Sequence, residues 1–87
     1  MELHVAGVLA RTRPDDTAAV VARITDLPGA EVHATSADGK VVVTLEAFDS
    51  QMLSERLALL PLVAGVLSAV LVYQHHELLE DMRDGSP

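Results

Sequence analysis

The chain has 87 residues, no cysteine, an apolar fraction of 49% and a formal net charge of -7. This length is enough for one domain with a single core, and the lack of cysteine excludes disulfides and thiolate metal sites. The six basic residues are scattered among thirteen acidic ones, so the chain lacks the clustered positive charge that nucleic-acid binding requires.

The first part of the chain predicts a strand followed by a helix. Residues 3–12 are apolar without helical spacing and form the first predicted strand. Pro14 then opens a helix, and the neighbouring carboxylates Asp15 and Asp16 are expected to cap its free amides. The sequence Pro28-Gly29 ends this helix.

A β-hairpin follows. Residues 30–36 form the second predicted strand, with Val32 and Ala34 on one face and the alternate residues on the other. Asp38-Gly39 is a strong hairpin signal. The third strand, residues 40–47, alternates between apolar residues on the inside and more polar residues on the outside.

The rest of the chain predicts a second helix, a fourth strand and a tail. Asp49 or Ser50 caps the helix, and Pro61 stops it. The fourth strand is expected from Gly65 to Tyr73 or a little beyond. Residues 1–76 are therefore expected to form the domain, and residues 77–87 an acidic, flexible tail.

The two halves of the chain resemble each other at a spacing of 33 residues. Asp16 and Leu27-Pro28 in the first half correspond to Asp49 and Leu60-Pro61 in the second. Two β-α-β units in succession predict an α+β, ferredoxin-like βαββαβ sandwich. Right-handed crossovers give an antiparallel four-stranded sheet in the order 4-1-3-2, with both helices on one face.

The opposite sheet face has nothing in the chain to cover it, and it is the candidate binding site. Alternation along the strands assigns this set to it: Val5, Gly7, Leu9, Arg11, Glu31, His33, Thr35, Val42, Thr44, Glu46, Val66, Ser68, Val70 and Val72. A mostly aliphatic patch of this kind is rarely left exposed without use. A second copy of the chain, a partner peptide or a small ligand are the alternatives for its cover.

Enzymatic chemistry is not expected. The chain contains neither a Gly-rich phosphate loop nor a nucleophile-base pair, and its central strands lack the aromatic side chains on which RNA-binding domains stack bases. We therefore expect no catalytic residues, no cofactor and no metal. The amino terminus lacks the basic region of a signal peptide, and the apolar stretch of residues 57–76 is interrupted by Pro61 and Gly65. No membrane span is expected, and the predicted location is the cytoplasm.

Three segments resemble the NapD family. Residues 27–32 read LPGAEV, residues 38–47 read DGKVVVTLEA, and residues 65–77 read GVLSAVLVYQHHE. The resemblance extends from about His4 to Glu77. NapD proteins are cytoplasmic chaperones for periplasmic nitrate reductase.

The resemblance implies a domain that binds the twin-arginine signal peptide of the catalytic subunit and delays export until the molybdenum cofactor is inserted. The peptide would lie as a helix against the sheet, which agrees with the uncovered face. The open alternative is a small ligand-binding or regulatory domain that dimerises through that face. The expected partners are the signal peptide and, weakly, a second copy of the chain, whereas a tight dimer unaffected by peptide would favour the alternative.

Overall fold

The computed structural model describes residues 2–78, and these form a four-stranded sheet with two helices on one side. The strand order is β2-β3-β1-β4, and all neighbouring strands are antiparallel. The elements are β1 (Glu2–Arg11), α1 (Thr17–Thr25), β2 (Ala30–Thr35), β3 (Lys40–Ala47), α2 (Ser50–Leu59) and β4 (Ser68–Leu78), with short 3-10 helices at Pro14–Asp16 and Leu60–Leu62. The predicted ferredoxin-like arrangement is confirmed.

The core lies between the sheet and the two helices. Alternate residues of the central strands β1 and β3 face it, because successive side chains of a strand point to opposite sides. Val20 and Ile24 of α1 and Leu53 of α2 pack against them, together with Leu60. The strand residues of the core are Ala6, Val8, Ala10, Val41, Val43, Leu45 and Ala47.

The two helices begin in different ways. Asp49 caps α2, since its Oδ1 accepts a hydrogen bond of 2.7 Å from the amide of Met52. The predicted carboxylate cap of the first helix is absent: Asp16 precedes α1 without a side-chain capping bond. There the chain first makes the 3-10 turn that Pro14 opens, and the Thr17 hydroxyl donates back to the carbonyl of Pro14 at 3.2 Å.

The predicted hairpin joins β2 to β3. The amide of Gly39 donates to the carbonyl of Ser36 at 3.1 Å, and the amide of Ser36 donates to the carbonyl of Lys40 at 2.9 Å. Asp38 lies in this turn, where its carboxylate accepts a hydrogen bond from the Ser36 hydroxyl. This bond, with Lys40 and Arg11 adding to it, holds the pKa of Asp38 below its usual value.

Both edge strands carry a register shift that strict alternation does not anticipate. In β2 the shift lies between Val32 and Ala34, and beyond it Thr35 lies opposite the fully buried Val41. Thr35 is therefore on the helix side of the sheet, and its predicted place on the uncovered face is wrong. The physical reason is the extra residue of a β-bulge, which reverses the facing of all later residues.

The fourth strand begins and ends later than predicted. It spans Ser68–Leu78. Its start is late because Gly65 has a φ of +94° and forms part of a turn against Val20 of α1. The last two residues of this strand are Glu77 and Leu78, which the sequence predicts as the start of the tail. The remainder of the predicted tail, residues 79–87, lies outside the described residues.

The core arrangement predicts a strong dependence of stability on Leu45, which is fully buried in β3. We expect Leu45→Ala to lower the free energy of unfolding by about 2–5 kcal/mol, because it removes buried apolar surface and leaves a cavity. Urea denaturation followed by circular dichroism measures this change. Leu62→Ala is the matched control, since Leu62 is 78% exposed and its truncation should change stability by less than about 0.5 kcal/mol. Equal losses in the two variants would contradict the observed core.

Candidate functional site

The sheet surface opposite the helices, called the open face from here on, is built first by the two central strands. Cross-strand pairs place β1 and β3 residues side by side along it: Val5 with Glu46, Gly7 with Thr44, Leu9 with Val42 and Arg11 with Lys40. Their neighbours in sequence are the buried core residues. All the central-strand residues that alternation assigned to the open face are therefore brought together there.

The edge strand β2 adds two polar side chains to the open face. Glu31 lies opposite Thr44 across the β2–β3 ladder and is exposed. His33 lies at the register shift, and its Nε2 is 2.7 Å from Oγ1 of Thr44. This hydrogen bond fixes His33 over the third strand, so both residues are on the open face as predicted.

The other edge strand, β4, contributes Ser68 and Val70 beside Arg11 and Leu9. A register shift follows, because one extra residue of β4 is accommodated between the partners of Val8 and Gly7. Val72 is this extra residue, and it lines the same surface cleft as its neighbour Tyr73.

Beyond the shift, the open face receives two residues that sequence reasoning missed. Tyr73 lies opposite Gly7, and His75 lies opposite Val5. The rings of Tyr73 and His75 are stacked, with centroids 5.8 Å apart. A sequence signal for Tyr73 does exist: a glycine in a central strand leaves a space that a large side chain of the neighbouring strand can fill.

Val66 does not lie on the open face. It precedes the first residue of β4, is half-buried and packs against the core cluster. Its predicted place among the exposed valines is wrong, because the turn at Gly65 ends only after it and the alternation of β4 begins at Ser68.

A shallow cleft of about 240 Å³ runs across the open face between β3, β1 and β4. The apolar side chains around it have 43–65% of their surface exposed; they are Val42, Val70, Val72 and Tyr73. An exposed, contiguous apolar surface of this kind is typical of a protein-interaction site. The residues that line the cleft are Gly7, Val8, Leu9, Val42, Val43, Thr44, Val72 and Tyr73.

The floor of the cleft depends on the close approach of Tyr73 to Gly7. The Tyr73 ring lies directly over the glycine: a Cβ built on Gly7 would lie 2.6 Å from Cδ1 of that ring. The glycine therefore lets an aromatic side chain lie flat against the sheet. The Tyr73 ring thus gives the cleft an apolar surface, and Gly7 at its centre has no side chain that would fill the cleft.

The charged groups of the open face occupy its two ends. Glu31 and Glu46 are exposed near the end where β3 finishes, while Arg11 and Lys40 lie where β3 begins. Between residues 2 and 78 no group of three or more side chains is arranged to hold a metal ion. No helix within that range is long and apolar enough to cross a membrane.

Together these features define a class of protein: a ferredoxin-like domain that exposes an apolar sheet face bordered by charge. Comparison with known proteins gives its family. The family model described as "NapD protein" matches residues 3–78. The chain belongs to the NapD family.

Two relatives support this assignment. The protein "Chaperone NapD" of Paracoccus pantotrophus is 32% identical over 72 residues, which cover 83% of this chain. The chain spans 63% of the length of that relative. The solution structure of the E. coli Tat proofreading chaperone protein NapD superposes with a TM-score of 0.78 at 28% sequence identity, covering 86% of this chain and 80% of that one.

The contact between Gly7 and Tyr73 predicts a specific energetic coupling. We expect Gly7→Ala to lower the free energy of unfolding by roughly 1–3 kcal/mol, because the added methyl group overlaps the ring. In a Tyr73→Ala background the same substitution should cost much less. Urea denaturation of the four proteins of this double-mutant cycle measures the coupling. An undiminished cost in the Tyr73→Ala background would contradict the contact.

Proposed function

We propose that this protein is a chaperone that binds the twin-arginine signal peptide of the catalytic subunit of a periplasmic nitrate reductase. By holding the signal, it would delay export until the molybdenum cofactor has been inserted. Membership of the NapD family supports this proposal, since the related proteins are named a chaperone and a Tat proofreading chaperone. The open face is the proposed peptide site.

The apolar cleft is the observation that carries the proposal. A twin-arginine signal peptide contains a pair of arginines followed by an apolar stretch, which can form a helix with an apolar side. Such a helix can lie in a shallow hydrophobic groove, as in other helix-in-groove complexes. Leu9, Val42, Val70 and Val72 would contact its apolar side, and burial of their exposed surface would drive association.

The carboxylates beside the cleft suit the arginine pair. Glu31 and Glu46 are both exposed on the open face, on neighbouring strands. A guanidinium group donates charge-assisted hydrogen bonds to a carboxylate, and these are stronger than neutral ones. The net charge of -7 would also attract a basic peptide over a longer range at low ionic strength.

The proposed role requires binding and release, and it involves no covalent step. We therefore propose a protein that is not an enzyme and that acts in the cytoplasm, where the signal peptide is available before export. The whole set of predicted residues that lie on the open face remains the proposed contact surface. It consists of Val5, Gly7, Leu9, Arg11, Glu31, His33, Val42, Thr44, Glu46, Ser68, Val70 and Val72.

Weak self-association belongs to the same proposal. Without peptide, two copies can shield part of their apolar open faces from water by contacting each other. The like charge of the two copies opposes a tight dimer. Bound peptide should therefore shift any dimer to the monomer in light scattering.

The apolar contact predicts that a charge placed in the cleft prevents binding. In a titration with a twin-arginine signal peptide, we expect Val42→Asp to weaken the affinity by about tenfold or more, because the carboxylate would be desolvated under the apolar helix. Isothermal calorimetry measures the affinity. Leu62→Asp adds the same charge at an exposed position of the 3-10 helix after α2 and should leave it unchanged. Equal affinities in the two variants would contradict the open face as the site.

The electrostatic contact predicts a salt-dependent effect at Glu46. We expect Glu46→Lys to weaken peptide binding roughly 2- to 5-fold at low ionic strength, since an exposed ion pair contributes about 0.2–1 kcal/mol. The effect should shrink as salt is added. Glu55→Lys on the exposed surface of α2 is the matched control. An equal loss of affinity in both variants would reflect only the change in net charge and would contradict a direct contact at Glu46.

A further inference from the structure

The open face has opposite charges at its two ends. Glu46 lies beside Val5, and Glu31 lies one pair further along beside Thr44. At the other end Arg11 and Lys40 are direct cross-strand partners. The apolar pairs Gly7 with Thr44 and Leu9 with Val42 lie between these ends. The charge therefore changes sign along the direction of the strands.

The positive end is only partly neutralised by its surroundings. Lys40 Nζ lies 3.7 Å from Oδ2 of Asp38, and Arg11 is close enough to lower the pKa of the same carboxyl group. Lys40 therefore has a carboxylate at ion-pair distance, and the exposed Arg11 lies next to Lys40 on the neighbouring strand. At the opposite end the Arg56 guanidinium donates to the backbone carbonyl of Glu46, and the side chain of Glu46 is exposed.

A helix carries a matching asymmetry. Its aligned peptide dipoles place partial positive charge at the amino end and partial negative charge at the carboxyl end. In a twin-arginine signal peptide the arginine pair precedes the apolar stretch, so side-chain charge and dipole have the same sign at the amino end. The six residue-to-residue steps from Lys40 to Glu46 span about 20 Å of strand, which corresponds to about 13 residues of helix.

We propose that the two charged ends of the open face determine the direction in which the peptide binds. The arginine pair and the amino end of the helix lie at Glu31 and Glu46. The carboxyl end lies at Arg11 and Lys40, and the helix axis follows β1 and β3. The reversed helix is disfavoured because it would place arginines beside Arg11 and Lys40, and specificity often depends on such repulsion. This inference rests on the proposed function. It gives Arg11 and Lys40 a role in specificity: they contact no arginine of the correctly bound peptide, but they repel the arginines of a reversed one.

Paramagnetic broadening in NMR spectra of the full chain tests the direction. The probe is a synthetic peptide of two arginines followed by an apolar, helix-forming stretch of about 13 residues, with a nitroxide on a cysteine at one end. The protein contains no cysteine of its own, so the label cannot exchange onto it. We expect a label at the arginine end to broaden the amides of Glu31 and Glu46, and a label at the other end to broaden those of Arg11 and Lys40.

The outcomes separate this inference from the proposed function. Binding with the reversed pattern, or with equal broadening at both ends from either label, would overturn the direction and leave the chaperone function standing. Absence of any binding would overturn the proposed function and the direction together. Broadening confined to α1 and α2 would overturn the open face as the site, and the direction with it, while the proposed binding of the peptide would stand.

A charge variant tests the cause of the direction. We expect the double variant Arg11→Gln/Lys40→Gln to let either label broaden both ends of the face, because the repulsion that disfavours the reversed helix is removed. Arg13→Gln removes a charge from an exposed position beyond the end of β1 and should keep the pattern of the unmodified protein. An unchanged pattern in the double variant would overturn the role of Arg11 and Lys40.

Discussion

The packing of both helices against the same side of β1 and β3 is the constraint on which the rest of the structure depends. Every second residue of these strands is buried under α1 and α2, from Ala6 to Ala10 and from Val41 to Ala47. The strict alternation of a strand then places all the intervening residues on the opposite side. The intervening residues are themselves largely apolar, so the same constraint that forms the core also creates an exposed apolar surface.

Alternation predicts the central strands well and the edge strands less well. β3 occupies the predicted residues 40–47, and every predicted open-face residue of β1 and β3 lies on that face. Thr35 and Val66 do not, because a bulge in β2 and a turn at Gly65 interrupt the alternation. Local apolar patterns carry no information about where one strand gains a residue relative to its neighbour. That information depends on long-range pairing.

The bulge in β4 is also what gives the open face its aromatic residue. Without the register shift at Val72, Tyr73 would lie opposite Ala6 and point toward the helix side. With the shift, the ring lies over Gly7 and next to His75. Bulges often reorient side chains next to functional sites. The irregular edge strand therefore shapes the surface that the regular central strands provide. The opposite charges at the two ends of the open face are the basis of the proposed binding direction.

The central claim is that a twin-arginine signal peptide binds to the open face of the sheet. Isotope-filtered NOE spectroscopy on the complex of the full chain with unlabelled peptide tests it most directly, because it detects contacts between individual methyl groups. The account predicts NOEs from apolar peptide side chains to the methyl groups of Leu9, Val42 and Val70. NOEs confined to exposed residues of the helix side, such as Leu59 and Leu62, would contradict it.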